Sequence, residues 1–266
     1  MPEEEIINSI KQSKKFSSID LPDDLMLHIL EQEKQKFSSP KKVEEAMRKK
    51  LHNIVAPYLD KTDYLYELSI MDNNIKPEDP FKTKAYCTNI LSKHASTKER
   101  LPILDTFYAT LFSLIGKPHS ILDLACGLNP FTLPWMPLDK TMFYYAYDIH
   151  KPRIDFINRF FSLYGLPQLA VHQDILVTPP IQESDTAFFF KEAHRFEKRK
   201  PGCSRTFWQA LNVKTILVSL PTEDLKHHHN LVPRHRQFIE KTTQGLNWMI
   251  DELLFTNEIV FVIWKN

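Results

Sequence analysis

The sequence predicts an α/β fold: a mostly parallel sheet of seven strands, the last one antiparallel, preceded by an all-helical domain. Three observations predict it. Residues 1 to about 115 carry apolar residues at three- and four-residue spacing with no strand pattern. After Gly116 short β-prone runs alternate with helical patterns, the texture of βαβ units with helices on both sheet faces. The chain ends in two β-prone runs joined near Thr256 and Asn257, which reads as an antiparallel hairpin.

In the helical part, periodic segments run through "IINSIKQSKKF", "LPDDLMLHILEQEKQKF" and "VEEAMRKKLHNIVAPYL". Asp20 or Pro22 starts the second, and Ser39 or Pro40 the third. A looser stretch, "MDNNIKPEDPFKTK", separates these from "STKERLPILDTFYATLFSLIG", where the spacing of Ser96 and Glu99 reads as a capping box. The expected division is a helical domain over 1–95 and a sheet domain over 96–266. In the sheet part the strands are "HSILDLA", "TMFYYAYD", "QLAVH", "DTAFFFK", "TILVSL" and the two runs of "WMIDELLFTNEIVFVIW". Seven strands ending in a hairpin is the layout of the Rossmann-like methyltransferase sheet.

Composition bounds the rest. The 266 residues are 42% hydrophobic and 25% charged, enough for a real core and unlike a disordered or fibrous chain. Cys87, Cys126 and Cys203 are an odd set without CxxC spacing, so neither a disulfide framework nor a zinc knuckle is indicated, and a reducing, cytoplasmic setting is expected. The start "MPEEEIINSIKQSKK" lacks the apolar core of a signal peptide, and no run approaches the roughly 18 residues of a membrane span. Net charge is +1, but residues 191–241 hold 11 Lys/Arg against 5 Asp/Glu, a local +6 that leaves −5 elsewhere. That asymmetry points either to a local polyanion contact or to a solvated basic loop.

The chemistry concentrates in "ILDLACGLNP". An apolar run ends at Asp123 and passes through Ala125 and Cys126 to Gly127, where a glycine lets backbone approach a ligand. A GxGxxG dinucleotide fingerprint and a GK[ST] phosphate loop are both absent, and a plain strand-to-helix turn remains a possible reading. Asp148 ends the second strand, 21 positions after Gly127, where a carboxylate can accept from both ribose hydroxyls. Asp174 ends the third, placed to meet an adenine amino group with Ile175 against the ring. Three carboxylates along one strand edge favour a nucleoside site, and S-adenosylmethionine fits better than NAD because no pyrophosphate cradle is present. Its methionine carboxylate needs a cation, and Arg100 in "HASTKER" can supply a two-bond guanidinium face.

Taken together, "HASTKERL…LDTFY", "ILDLACGLNP", "YDIH", "QDIL", "FFFK" and "VSLPT" resemble the aminoglycoside-resistance 16S rRNA (guanine-N7) methyltransferases. "KKLHNIVAPYL" and "SIKQSKKF" resemble that family's N-terminal helical domain, so the resemblance covers nearly the whole chain. It implies methylation of guanine N7 at the decoding site of the 30S subunit, with S-adenosylmethionine as cofactor and 16S rRNA as partner; nothing in the sequence itself requires more than a monomer, and no metal is expected. It implies Arg100 at the methionine carboxylate and Ala125 and Gly127 beside the cofactor, flanked by His94 and Asp123. Asp148 and Ile149 would lie at the ribose, and Asp174 and Ile175 at the adenine. Lys191 would stand at the methyl-transfer pocket as the catalytic candidate. Lys14, Lys15, Arg48, Lys49 and Lys50 would dock on rRNA, with Arg195 near the target, whose extruded base would stack on apolar surface near Pro221.

N7 carries a free lone pair, so transfer needs no His/carboxylate base. The chain departs from the family after Lys191, in "KEAHRFEKRKPGC" and in the glycine-free "EDLKHHHNLVPRHRQFIEK". These departures fall on the target side. They leave open a relative with a different target nucleotide, or a ribosome-binding protein without turnover, against which the intact Arg100, Gly127, Asp148 and Asp174 argue. His227, His228 and His229 with His235 have no carboxylate or cysteine at metal-ligand spacing.

Overall fold

A computed structural model describes residues 3–56, 62–224 and 229–265. Helices α1 (Glu3–Lys11), α2 (Asp23–Lys34) and α3 (Pro40–Val55) form a small bundle. Pro22 caps α2, and Ser39 with Pro40 opens α3, where a proline loses nothing because the first helical N–H groups have no internal acceptor. The apolar faces meet in a core of their own, which includes Ile10, Phe16, Leu25, Ile29, Met47 and Leu51.

The stretch read as loose is ordered. Its residues 71–84 hold the end of α4 (Tyr64–Asn74) and the start of α5 (Pro80–Leu91), helices capped by Asp63 and Asp79 and joined only by residues 75–79. The single helix expected over 96–116 is instead α6 (Ala95–Arg100), a 3-10 turn Leu101–Ile103 around Pro102, and α7 (Leu104–Ile115). The Ser96/Glu99 capping box is not made. Ser96 Oγ meets His94 Nδ1 at 2.9 Å, and Glu99 turns to Lys191.

The seven strands are β1 (Ser120–Leu124), β2 (Phe143–Asp148), β3 (Ala170–His172), β4 (Ser184–Phe190), β5 (Val213–Pro221), β6 (Met249–Leu254) and β7 (Glu258–Trp264). They lie in the order β3-β2-β1-β4-β5-β7-β6. Strands β1 to β5 pair in parallel, and β7 runs antiparallel between β5 and β6. Helix α8 (Lys151–Tyr164) covers one face, and α9 (Ala193–Arg199), α10 (Cys203–Ala210) and α11 (Val232–Thr243) follow β4 and β5. Both faces are covered, so β5 and β7 read as near-continuous apolar runs rather than alternating ones.

The break between apolar cores falls before α4, earlier than the expected boundary at residue 95. Tyr64, Met71, Tyr86, Cys87 and Ile90 of α4 and α5 share one core with α7, α8 and the sheet. Helical periodicity gives the width of an apolar stripe but not which core receives it. The bundle is tied back by Ile149 packed on its core, by Lys151 N donating to Ile19 O and by Thr178 Oγ1 donating to Asp24 Oδ2. Strand order reverses between β1 and β4, which makes the carboxyl ends of β1 to β4 the place for a ligand.

Candidate active site

At the end of β1 the backbone turns through two unusual residues. Ala125 has φ +52° and Gly127 φ +53°, the left-handed region that costs an L-residue energy. At Gly127 a β-carbon would stand in van der Waals contact with the His94 ring, 3.4 Å from Cε1, so it is the left-handed φ that calls for glycine there. The loop is held to β2 by Cys126 N donating to Tyr147 O and by Gly127 N donating to Asp148 Oδ2 at 3.0 Å. This is a backbone cradle that a side chain would fill, as a small-molecule ligand requires.

Beneath it lies a buried polar network. Asp123 Oδ2 accepts from Tyr144 Oη at 2.6 Å and from Asn129 Nδ2 at 3.0 Å. Asn129 Oδ1 in turn accepts from Tyr108 Oη and from Arg100 Nη1. Burial pushes the Asp123 carboxyl up to about 7, and its two hydrogen bonds and Arg100 offset this only in part. Arg100 donates Nε and Nη2 to the two oxygens of Glu258, at 3.1 and 2.6 Å, between the rings of Phe107 and Phe190. The two-bond face expected for a ligand carboxylate is therefore taken by Glu258, and a ligand could use only what remains of the five N–H groups. Burial alone would raise Glu258, but Arg100 and Lys191 hold it below its usual value. Lys191, at φ +60° where β4 ends, donates to Glu99 Oε2 at 2.6 Å and lies 3.7 Å from Glu258 Oε2. Its ammonium thus joins this network.

The second strand end is anchored differently. Asp148 Oδ2 accepts from Arg153 Nη1 at 2.9 Å, and Oδ1 accepts from His150 N at 2.8 Å. Burial would raise this carboxyl too, yet Arg153 beside it keeps it low and ionised. Tyr64 Oη accepts from Arg153 Nε, so α4 supports the pair. At the third strand end Asp174 Oδ1 accepts from Leu176 N at 3.0 Å. Arg199 Nη2 faces Oδ2 at 2.6 Å as a charge partner, but off the line of a hydrogen bond. Asp174 is only 1% exposed, so Oδ2 is a buried acceptor with its hydrogen-bonding capacity unfilled.

Two hollows meet at Ala125. A slot of about 20 Å³ is lined by His94, Arg100, Asp123, Ala125, Gly127 and Asn129. A cavity of about 730 Å³ is lined by Ala125, Asp148, Ile149, Asp174 and Ile175, and by Lys50, Asn53 and Ile54 of α3 and Arg195 of α9. All the expected cofactor residues except Lys191 line one of the two. Among the expected RNA-binding residues, Lys50 and Arg195 line the cavity. Lys14, Lys15 and Lys49 are exposed on the bundle, and Arg48 is half-buried and paired with Glu44. Lys50 donates to Gln32 and stands 3.2 Å from Glu33. Another groove of about 680 Å³, between α11 and β6, lies at the far edge of the sheet and collects no comparable set of strand-end carboxylates.

Sequence reasoning missed Asn129, Glu258, Arg153, Glu99 and Arg199. Asn129 lay inside "ILDLACGLNP" and could have been named from its place after the turn; Glu258 gave no local signal. His235 Nε2 meets Pro221 O at 3.0 Å, which supports the end of β5. His227 and His228 lie outside the described residues, and among those described no group of three potential ligands could hold a metal ion.

Comparison with known proteins accounts for this arrangement. The family model "Ribosomal RNA methyltransferase (FmrO)" matches residues 12–262. The 16S rRNA (guanine(1405)-N(7))-methyltransferase of Serratia marcescens is 33% identical over 261 residues, covering 98% of this chain and 97% of that protein. Its namesake from Micromonospora rosea is 28% identical over 218 residues, covering 81% and 80%. The structure of the 16S rRNA methylase RmtB superposes with a TM-score of 0.78 at 31% identity, over 100% of this chain and 99% of that one. RmtF, solved with S-adenosyl-L-homocysteine, shares the fold with a TM-score of 0.80 at 23% identity, over 99% and 98%. The chain belongs to the ribosomal RNA methyltransferase (FmrO) family.

Proposed function

We propose that this protein methylates N7 of a guanine in 16S rRNA, the reaction in its relatives' names, with S-adenosylmethionine as donor. The observation that carries the reading is the buried Asp174, whose Oδ2 has a charge contact from Arg199 but no hydrogen bond, in the same cavity as Asp148 and beside the Gly127 turn. Those residues fit the donor: Asp174 for an exocyclic amine, Asp148 for ribose hydroxyls, Ile149 and Ile175 for the ring faces. The amino-acid end would then lie toward His94, Arg100, Asp123 and Gly127, where the slot of about 20 Å³ has to widen to admit it. When bound, the cofactor supplies a methyl group made electrophilic by its sulfonium.

The chain's own work is positional. Guanine N7 has its lone pair free, so no group need remove a proton, and the site contributes by holding N7 in line at contact distance. Lys191 lines neither hollow, and its ammonium is fixed by Glu99 and Glu258, so its part is to support the end of β4 beside the site rather than to move a proton. The guanine must leave its stack, which costs a few kcal/mol. In this reading Arg195, which lines the cavity, would receive the flanking phosphate, and apolar surface near Pro221 at the end of β5 would receive the base. Exposed Lys14, Lys15 and Lys49, with Arg48 and Lys50, are the proposed docking cations for the 30S subunit, approached by a monomer in the cytoplasm.

Expression in a susceptible bacterium tests this directly. Resistance to gentamicin and kanamycin should appear, and primer extension after reduction and aniline cleavage should stop at the decoding-site guanine. Soluble protein giving neither sinks the proposal. A stop at another nucleotide would instead assign a different target, which the altered sequence after Lys191 would then explain.

A further inference from the structure

The 730 Å³ cavity is overcharged for the ligand assigned to it. Lys50, Arg195, Lys198 and Arg199 line it, against the carboxylates Asp148 and Asp174. S-adenosylmethionine itself brings net positive charge, and Asp148 is already paired with Arg153. One of these cations sits where the cofactor has to bind. Arg199, the last residue of α9 and 17% exposed, reaches in to within 2.6 Å of Asp174 Oδ2 without making a hydrogen bond to it.

We propose that Arg199 is a positioning residue that guards Asp174 in the free protein and is handed to an RNA phosphate when the adenine 6-amino group takes Oδ2. The inference rests on the proposed function. The amine can lie on the hydrogen-bond line that Arg199 misses, and it keeps the buried carboxylate satisfied together with Leu176 N. The guanidinium gives up a charge contact but no hydrogen bond. Once released among Lys198 and Arg195 it gains most from an anion, and a phosphate accepts its two-pronged face. Cofactor and RNA then bind with positive coupling, and each must raise the other's affinity by the same factor.

The test uses the full-length protein, purified 30S subunits, S-adenosylhomocysteine, and S-inosylhomocysteine, whose 6-oxo group cannot donate to Asp174. In the unmodified protein S-adenosylhomocysteine should raise 30S affinity roughly fivefold or more, while S-inosylhomocysteine at saturation should leave it unchanged. Arg199→Gln should bind S-adenosylhomocysteine at least as tightly as the unmodified protein and lose the coupling, and Arg199→Lys should restore part of it. Equal coupling by both nucleosides, or coupling that survives Arg199→Gln, overturns the proposal. So does a several-fold loss of S-adenosylhomocysteine affinity in Arg199→Gln, which would make Arg199 a direct holder of the cofactor. Should Arg199→Gln fail to fold, the comparison of the two nucleosides on the unmodified protein decides alone. Absence of any S-adenosylhomocysteine binding removes the proposed function and this inference together, whereas binding without coupling removes only this inference.

Discussion

The two halves of the site solve the problem of buried charge in opposite ways. Under β1, Arg100, Glu258, Lys191 and Glu99 neutralise one another, and Asn129 spends its whole amide on Asp123, Tyr108 and Arg100. Under β2 and β3 the cations outnumber the carboxylates, and one buried acceptor stays unfilled. A satisfied network gives rigidity and leaves little for a ligand, while an acceptor held by a charge contact alone can exchange that contact for a ligand's hydrogen bond. The slot beside β1 therefore sets the shape of the site, and the cavity beside β2 and β3 sets what enters it.

The largest effect should come from breaking the closed half. Glu258 is fully buried between two cations, so Glu258→Ala strands Arg100 without its carboxylate. Removing one partner of a buried pair costs about 3–5 kcal/mol. Denaturant unfolding should show a loss of that order, with cofactor affinity falling as a consequence. A loss below about 1 kcal/mol, the value of an exposed pair, would mean that the network is not a structural unit.

In the open half, substitution should act on binding first. Asp148→Asn removes the charge that Arg153 and Gly127 N rely on and weakens the acceptor proposed for the ribose. Charge-assisted hydrogen bonds of this kind contribute roughly 1.5–3 kcal/mol, about a 10- to 150-fold loss of S-adenosylhomocysteine affinity by calorimetry. An affinity within twofold of the unmodified protein would show that the ribose lies elsewhere.

The same contrast explains what could be read in the sequence. Gly127, Asp148 and Asp174 were legible because a strand end is a local event, marked by an apolar run that stops at a small or acidic residue. The seven strands and the closing hairpin followed from the same alternation. Glu258 was not legible, since it lies 158 positions from Arg100 and meets it only in the tertiary fold, at the start of a strand paired with β5. Nor was Arg153, although it is only five positions from Asp148, because an arginine in the first turn of a helix ordinarily faces water. The end of α4 and the start of α5 were obscured by a run of Asn, Pro and Asp that reads as loop, although one of its aspartates, Asp79, proves to be the N-cap of α5.

The smallest effect probes the seam between the halves through Asp123. Its carboxyl is raised to about 7 in the folded protein by burial, against an ordinary 3.8 when unfolded. Between those values the folded state binds the proton that the unfolded state has released, so stability falls as pH rises through that window. Asp148 and Glu258 have lowered values and act the other way, losing their contribution as pH drops through and below the usual carboxylate range. Asp123→Asn keeps an acceptor for Tyr144 and Asn129 but removes the titration. Its stability between pH 5 and 7 should be flatter than that of the unmodified protein, by at most about 1.4 kcal/mol per pH unit. Parallel curves would show that Asp123 keeps an ordinary carboxylate pKa and stays ionised across this range, which would turn the slot beneath the Gly127 turn from a neutral floor into an anionic one.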